Sequence, residues 1–279
     1  MSENKKIIFL FILGTFFANI IMSMNKTLYY SDEINDDFSG TKIVSKGVKP
    51  NYRYFNRGIW GGIKKIILYR LLVTPVSFIY NKLFKRVSYK NKRVLKGYKR
   101  RGCFIYGNHT AYMLDATNPT YIAFPRPANV IVNSDATSIR GLRGILRTIG
   151  ALPIPNDFHL MNKFICAVGE AIKKRHWVAV YPEAHIWPYY TKIRNFPSVS
   201  FNFPVKFNAP VFAFTMTYKK RKYRAKPKRV VFIDGPFFAD DCLPYKEAVK
   251  KLRDEVYNSM CARAKLSNCE YVEYVYKPA

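Results

Sequence analysis

The chain has 279 residues, 49% of them apolar and 23% charged, which excludes a disordered or fibrous polypeptide and allows a sizeable core. Its formal charge of +29 attracts polyanions (nucleic acid, anionic lipid headgroups, phosphate-bearing small molecules) without choosing among them. The five cysteines, Cys103, Cys166, Cys242, Cys261 and Cys269, are scattered and contain no C-x-x-C pair, which argues for reduced thiols in a cytosolic setting over a disulfide framework or a zinc site.

In chain order, Lys5 and Lys6 precede an apolar run from Ile7 to Met24, which reads as an N-terminal membrane anchor over residues 1–24. No small-x-small cleavage site follows it, and a start at Met22 or Met24 would remove it altogether. Residues 25–54 are polar and turn-rich and read as an irregular leader. Ile59 to Phe84 is apolar again, but Lys64, Lys65 and Arg70 interrupt it and Pro75 should kink or end a helix. Helices lying in a membrane interface, with Trp60 and Tyr69 at headgroup depth, fit this stretch, and core helices fit it equally. Half of residues 82–101 are Lys or Arg, and a second basic block spans Lys219 to Arg229. Beside apolar helices such a block suits an anionic membrane surface, at about 1 kcal/mol per cation near the leaflet.

From about residue 93 the pattern alternates between strands and helices. Cys103–Tyr106, Asn129–Val132, Trp177–Tyr181, Val211–Thr217 and Arg229–Ile233 read as strands, with helices near 138–149, 158–175 and 245–265. In the last helix Ala248, Leu252, Val256 and Met260 recur at a spacing of four, an amphipathic stripe. The expected fold is α/β, a mixed, mostly parallel sheet flanked by helices, over a domain of residues 85–279.

Two segments carry chemistry. Tyr106-Gly107-Asn108-His109-Thr110-Ala111-Tyr112-Met113-Leu114-Asp115 follows a strand, where ligands collect in open α/β sheets. A His with a nearby Asp supplies a general base and the carboxylate that fixes its tautomer. Six residues apart on a continuous helix the two would face apart, so a pairing needs a turn after His109; a surface His near an unrelated Asp fits the spacing as well. Tyr181-Pro182-Glu183-Ala184-His185 ends another strand, with Glu183 placed either to order a loop or to orient a polar substrate. No H-x-x-x-H or similar spacing supports a metal at His109, Asp115 and His185.

In these blocks the sequence resembles the phospholipid/glycerol acyltransferase family, the PlsC-type 1-acylglycerol-3-phosphate acyltransferases. The resemblance runs over roughly residues 90–236: Asn108-His109 to Asp115, then Gly150-Ala151-Leu152-Pro153-Ile154-Pro155, then Tyr181-Pro182-Glu183, then Ala209-Pro210-Val211-Phe212. It departs from the family in three places. Five residues separate His109 from Asp115 where the family has four, Ala184-His185 replaces the Gly-Thr-Arg that contacts the acceptor phosphate, and Asn156 stands where an Arg is expected.

The resemblance implies an acyl transfer with no cofactor and no metal. His109 is the base and Asp115 its partner, and backbone N–H groups near Gly107 or the Pro-Glu block form the oxyanion site. It implies substrate contacts at Asn108, Glu183 and His185, with Lys192 and Arg194 in place of the missing phosphate-binding arginines. The implied partners are a lysophospholipid acceptor, acyl-CoA or acyl carrier protein as donor, and an anionic membrane, with the catalytic domain on the cytoplasmic side of the cell membrane. Two other readings share these residues: an inactive member of the family acting as a lipid-binding scaffold, and a basic nucleic-acid-binding protein, against which stands the lack of any nucleic-acid motif.

Overall fold

A computed structural model describes residues 27–40, 47–55, 58–134, 146–147 and 150–278, apart from the side chains of 59, 61 and 64–66. The expected anchor over 1–24 and nearly all of the helix expected at 138–149 lie outside these residues.

Strands β1 (Thr27–Tyr30), β2 (Ser88–Lys90), β3 (Cys103–Gly107), β4 (Ala128–Val132), β5 (Ala151–Pro153), β6 (Trp177–Val180), β7 (Val211–Lys219), β8 (Lys228–Phe237) and β9 (Glu273–Tyr276) form two sheets. The large one has the order β2-β8-β7-β3-β6-β4-β5. Every pairing in it is parallel except β7–β8, so the expected mixed, mostly parallel α/β sheet is present. Its central strands are uninterrupted apolar runs because both faces are covered. Alternation assigns the sides: Phe104, Tyr106, Val178 and Val180 enter one core, Cys103, Ile105, Trp177 and Ala179 the other.

The first core is closed by α4 (Met161–Lys173), the short α5 (Asn202–Lys206) and α6 (Tyr245–Ala264). The expected stripe of α6, Ala248, Leu252, Val256 and Met260, is buried there. The second core is covered by α3 (Tyr112–Ala123) and by the helical run that begins with α1 (Gly58–Leu68). That run does not break at Pro75. It passes through a π turn at Tyr69–Val73 into α2 (Thr74–Ile79) and then a second π turn at Tyr80–Phe84. The backbone N–H of Thr74 reaches five residues back to Tyr69, so the widened turn sits just ahead of the proline, which follows as the second residue of α2. Tyr69 is not at a surface. Its hydroxyl donates to Thr120 Oγ1 at 3.2 Å and accepts the Ala128 N–H at 2.7 Å. Among the described residues no helix is long and apolar enough to cross a membrane.

The leader is not irregular throughout. Residues 27–30 pair in parallel with β9, from Thr27 opposite Glu273 to Tyr30 opposite Tyr276. Val48, Tyr52 and Tyr54 enter the first core, and Tyr54 donates to the Pro153 carbonyl at 3.1 Å. A boundary at residue 85 therefore cuts through packed structure: the segment before it supplies part of both cores.

Gly107, at the end of β3, marks the tightest approach behind the site. A Cβ there would sit 2.2 Å from the Phe214 ring of β7. Gly107→Ala should cost about 1–3 kcal/mol from overpacking, read as a lowered denaturation midpoint, and Phe214→Leu in the same chain should recover part of the loss.

Candidate active site

Where β3 leaves the sheet, Asn108 turns inward. Its amide donates to the Met216 carbonyl at 3.0 Å and accepts the Met216 N–H at 2.8 Å, extending the β3–β7 ladder by one side chain. Both ends of the amide are thus occupied by backbone, and the residue is buried. Asn108 clamps the strand end and does not face a substrate, contrary to the expectation from sequence.

The next two residues are held from both sides. The His109 N–H donates to Glu183 Oε2 at 3.1 Å, and its carbonyl accepts the Trp187 N–H at 2.9 Å. The Thr110 carbonyl accepts from the Tyr189 N–H and the Tyr218 hydroxyl, both at 3.0 Å. Ala111 is not helical, with φ −151° and ψ 65°, and α3 begins only at Tyr112. This non-helical stretch absorbs the extra residue between His109 and Asp115. Asp115, in the first turn of α3, reaches back so that one oxygen, Oδ2, meets both His109 Nδ1 and the Ala111 N–H at 2.8 Å. A carboxylate only accepts, so Nδ1 carries the proton and Nε2 the lone pair. Asp115 is buried, whereas the His109 side chain is 25% exposed. The ring of Tyr181 stacks on the imidazole, centroids 4.7 Å apart, and its hydroxyl donates to the Asp115 carbonyl.

Glu183 is buried beneath the same loop. Burial pushes its carboxyl above the usual range; the Arg194 guanidinium and the N–H groups of His109 and Arg194 pull it back. Arg194, only 1% exposed, donates from its backbone to Glu183 Oε1 at 3.2 Å and from its guanidinium to Oε2 at 3.4 Å. The guanidinium also donates to the carbonyls of His185 and Glu33 and stacks 4.8 Å from the Trp187 ring. Arg194 is thus committed to the protein interior.

Lys192, two residues earlier, is exposed and borders a cleft of about 610 Å³ together with Lys265 and Asn268. The two cations expected to act together face opposite environments. His185 is partly exposed and fixed through its backbone, its N–H donating to the Glu183 carbonyl at 2.7 Å. Ala184 adopts φ of 61°, a left-handed conformation that accounts for a glycine in the family's equivalent block. The N–H groups of His109, Ala184 and His185 all have protein acceptors, so none of the three is free to serve as an oxyanion donor.

The structure thus brings together His109, Asp115, Glu183 and Arg194. It adds Tyr181, Trp187 and Tyr218, for which the sequence offered no signal beyond their place in or near the quoted blocks.

A parallel-centred sheet with a His–Asp pair at the mouth of its middle strand defines the class: the chain has the fold of a PlsC-type acyltransferase. It is similar to the crystal structure of the 1-acyl-sn-glycerophosphate (LPA) acyltransferase PlsC from Thermotoga maritima, with a TM-score of 0.54 and 16% sequence identity over 78% of this chain and 87% of that one. No protein-family model matches the sequence, and no curated protein matches it.

Truncating Arg194 would leave Glu183 as a buried, unpaired acid. Arg194→Met should destabilise the fold by about 3–5 kcal/mol, and Arg194→Lys should recover little of this because an ammonium cannot span the same carbonyls and carboxylate. Equilibrium denaturation of the two variants measures both effects.

Proposed function

We propose that the protein transfers a fatty acyl group from acyl-CoA or an acyl carrier protein to a hydroxyl of a lysophospholipid such as 1-acylglycerol-3-phosphate, in phospholipid biosynthesis. The observation that carries this reading is the 2.8 Å contact between His109 Nδ1 and Asp115 at the mouth of β3, in a fold shared with a PlsC acyltransferase. Asp115 holds the proton on Nδ1, so Nε2 takes the proton of the acceptor hydroxyl as its oxygen attacks the thioester carbonyl. The new C–O bond forms and the C–S bond breaks. The imidazolium returns its proton to the departing thiolate, and the stacked Tyr181 ring holds the imidazole in place throughout. The step balances with these groups and the two substrates, and we assign no cofactor or metal to it.

Lys192 is the cation we assign to an acceptor phosphate, since Arg194 is held inside. An acceptor with a long acyl chain resides in a bilayer, and the helical run of residues 58–84 offers a surface for one. Trp60 is 83% exposed, Leu71 73% and Phe84 74%, with Ile67, Val76 and Leu83 also open to solvent. These side chains, with Arg70 and Lys82 among them, suit the headgroup boundary of an anionic membrane. A cytosolic donor places the catalytic domain on the cytoplasmic side.

Two outcomes are expected. His109→Ala and Asp115→Asn should each lower acyl transfer from a radiolabelled thioester by about 10²–10⁴-fold while circular dichroism stays unchanged. Near wild-type transfer by His109→Ala would remove the mechanism. Trp60→Ser with Leu71→Ser should abolish sedimentation with vesicles of anionic phospholipid and spare the fold, since neither side chain is buried.

A further inference from the structure

The two basic blocks of the sequence, far apart along the chain, converge in space. The β7–β8 hairpin pairs Tyr218 with Arg229 and Lys219 with Lys228, and carries Arg221, Arg224 and Lys226 in its loop. Strand β2 runs parallel to β8 with Ser88 opposite Val230, so Lys85 and Arg86, just before β2, arrive beside this hairpin. The cations press on one another. Burial together with Arg224, Arg229 and Arg86 lowers the pKa of Arg221, and burial together with Arg229 and Lys226 lowers that of Lys85. Among the described residues none of these six side chains has a carboxylate within 4.0 Å, while the ion pairs that do occur lie elsewhere in the fold. Like charges gathered without a counter-charge are unfavourable unless an anion completes them.

The cluster is tied to the reacting imidazole by a short chain of contacts. Arg229 donates to the Tyr189 hydroxyl at 2.7 Å and lies 5.3 Å over its ring. The Tyr189 N–H bonds the Thr110 carbonyl, next to His109, and the Tyr189 ring packs 5.2 Å from Tyr218, whose hydroxyl bonds the same carbonyl. Because β7 runs parallel to β3 and continues beyond it, the hairpin rises past the strand end from which His109 projects. An anion held there lies along one approach to the site. A compact cluster, with Lys85 and Arg229 half-buried, suits closely spaced phosphates on one small molecule better than a broad acidic protein face.

We propose that Lys85, Arg86, Arg221, Arg224, Lys226 and Arg229 form the subsite for the phosphate groups of a coenzyme A thioester, which they hold while the acyl sulfur reaches His109. This rests on the acyl-transfer reading and narrows it from any thioester donor to a nucleotide-bearing one.

Binding can be separated from turnover by titrating the full-length protein with desulfo-coenzyme A in a calorimeter. Wild-type protein should bind, and Arg221→Gln/Arg224→Gln/Lys226→Gln should weaken binding about tenfold or more and flatten its salt dependence. Arg224 and Lys226 are exposed and half-buried Arg221 sits among like charges, so the melting temperature should hold, as should sedimentation with anionic vesicles. An equal dissociation constant in variant and wild type, or no binding by wild type, would overturn the subsite and leave acyl transfer to be judged by His109→Ala. Unchanged nucleotide binding with lost vesicle binding would assign the cluster to the membrane instead. Binding of an acidic acyl carrier protein that the triple change abolishes, without binding of desulfo-coenzyme A, would give it to a protein donor and also refute the proposal.

Discussion

The buried Glu183–Arg194 pair is the constraint around which the mouth of the sheet is built. One carboxylate receives the N–H of His109 on one oxygen and the N–H of Arg194 on the other, so it joins the segment after β3 to the loop after β6. The guanidinium extends the link to the Glu33 carbonyl in the leader. A buried ion pair is weak evidence for stability on its own. Its value here is positional: with the ends of β3 and β6 fastened to one group, the imidazole cannot drift relative to the loop that stacks Tyr181 on it.

That arrangement employs part of the chain's aromatic content, 16% of its residues. Trp187 is packed by Tyr274 at 4.9 Å, Tyr30 at 4.8 Å, Tyr190 at 5.1 Å and Phe38 at 5.3 Å, and its indole donates to the Asp36 carbonyl. Rigid rings of this kind exclude water from the guanidinium they cover, with two or fewer side-chain torsions to immobilise each. These aromatic residues thus seal the buried pair.

What could be read in the chain follows its physics. The central strands announced themselves because burial on two faces leaves only apolar side chains, and α6 did so because one face of it meets water. Helix α3 gave no such signal. Asp115, Asn118 and Thr120 are buried in it alongside Leu114 and Ile122, and Pro119 lies in its interior, so neither stripe nor composition marks it. The pairing of residues 27–30 with 273–276 is a long-range contact of two short, half-exposed strands, which no local pattern encodes. At the site, the His–Asp pairing was legible as a motif, but the burial of Arg194 was not. In a chain of +29 one more arginine reads as solvated surface, and only a partner eleven residues away in sequence shows otherwise. Asn108 was misread for a related reason: a polar residue beside a catalytic one suggests a ligand contact, whereas this amide stands in for a missing rung of the sheet.

The pairing of β1 with β9 has a consequence for how the protein is made. During synthesis the leader, the β3 turn and the loop at 183–194 emerge early. Residues 271–276, which supply Tyr274 to the lid of rings and a partner strand to the leader, follow only after all of these. A nascent chain therefore holds the Glu183–Arg194 pair under an incomplete roof until that strand has been made.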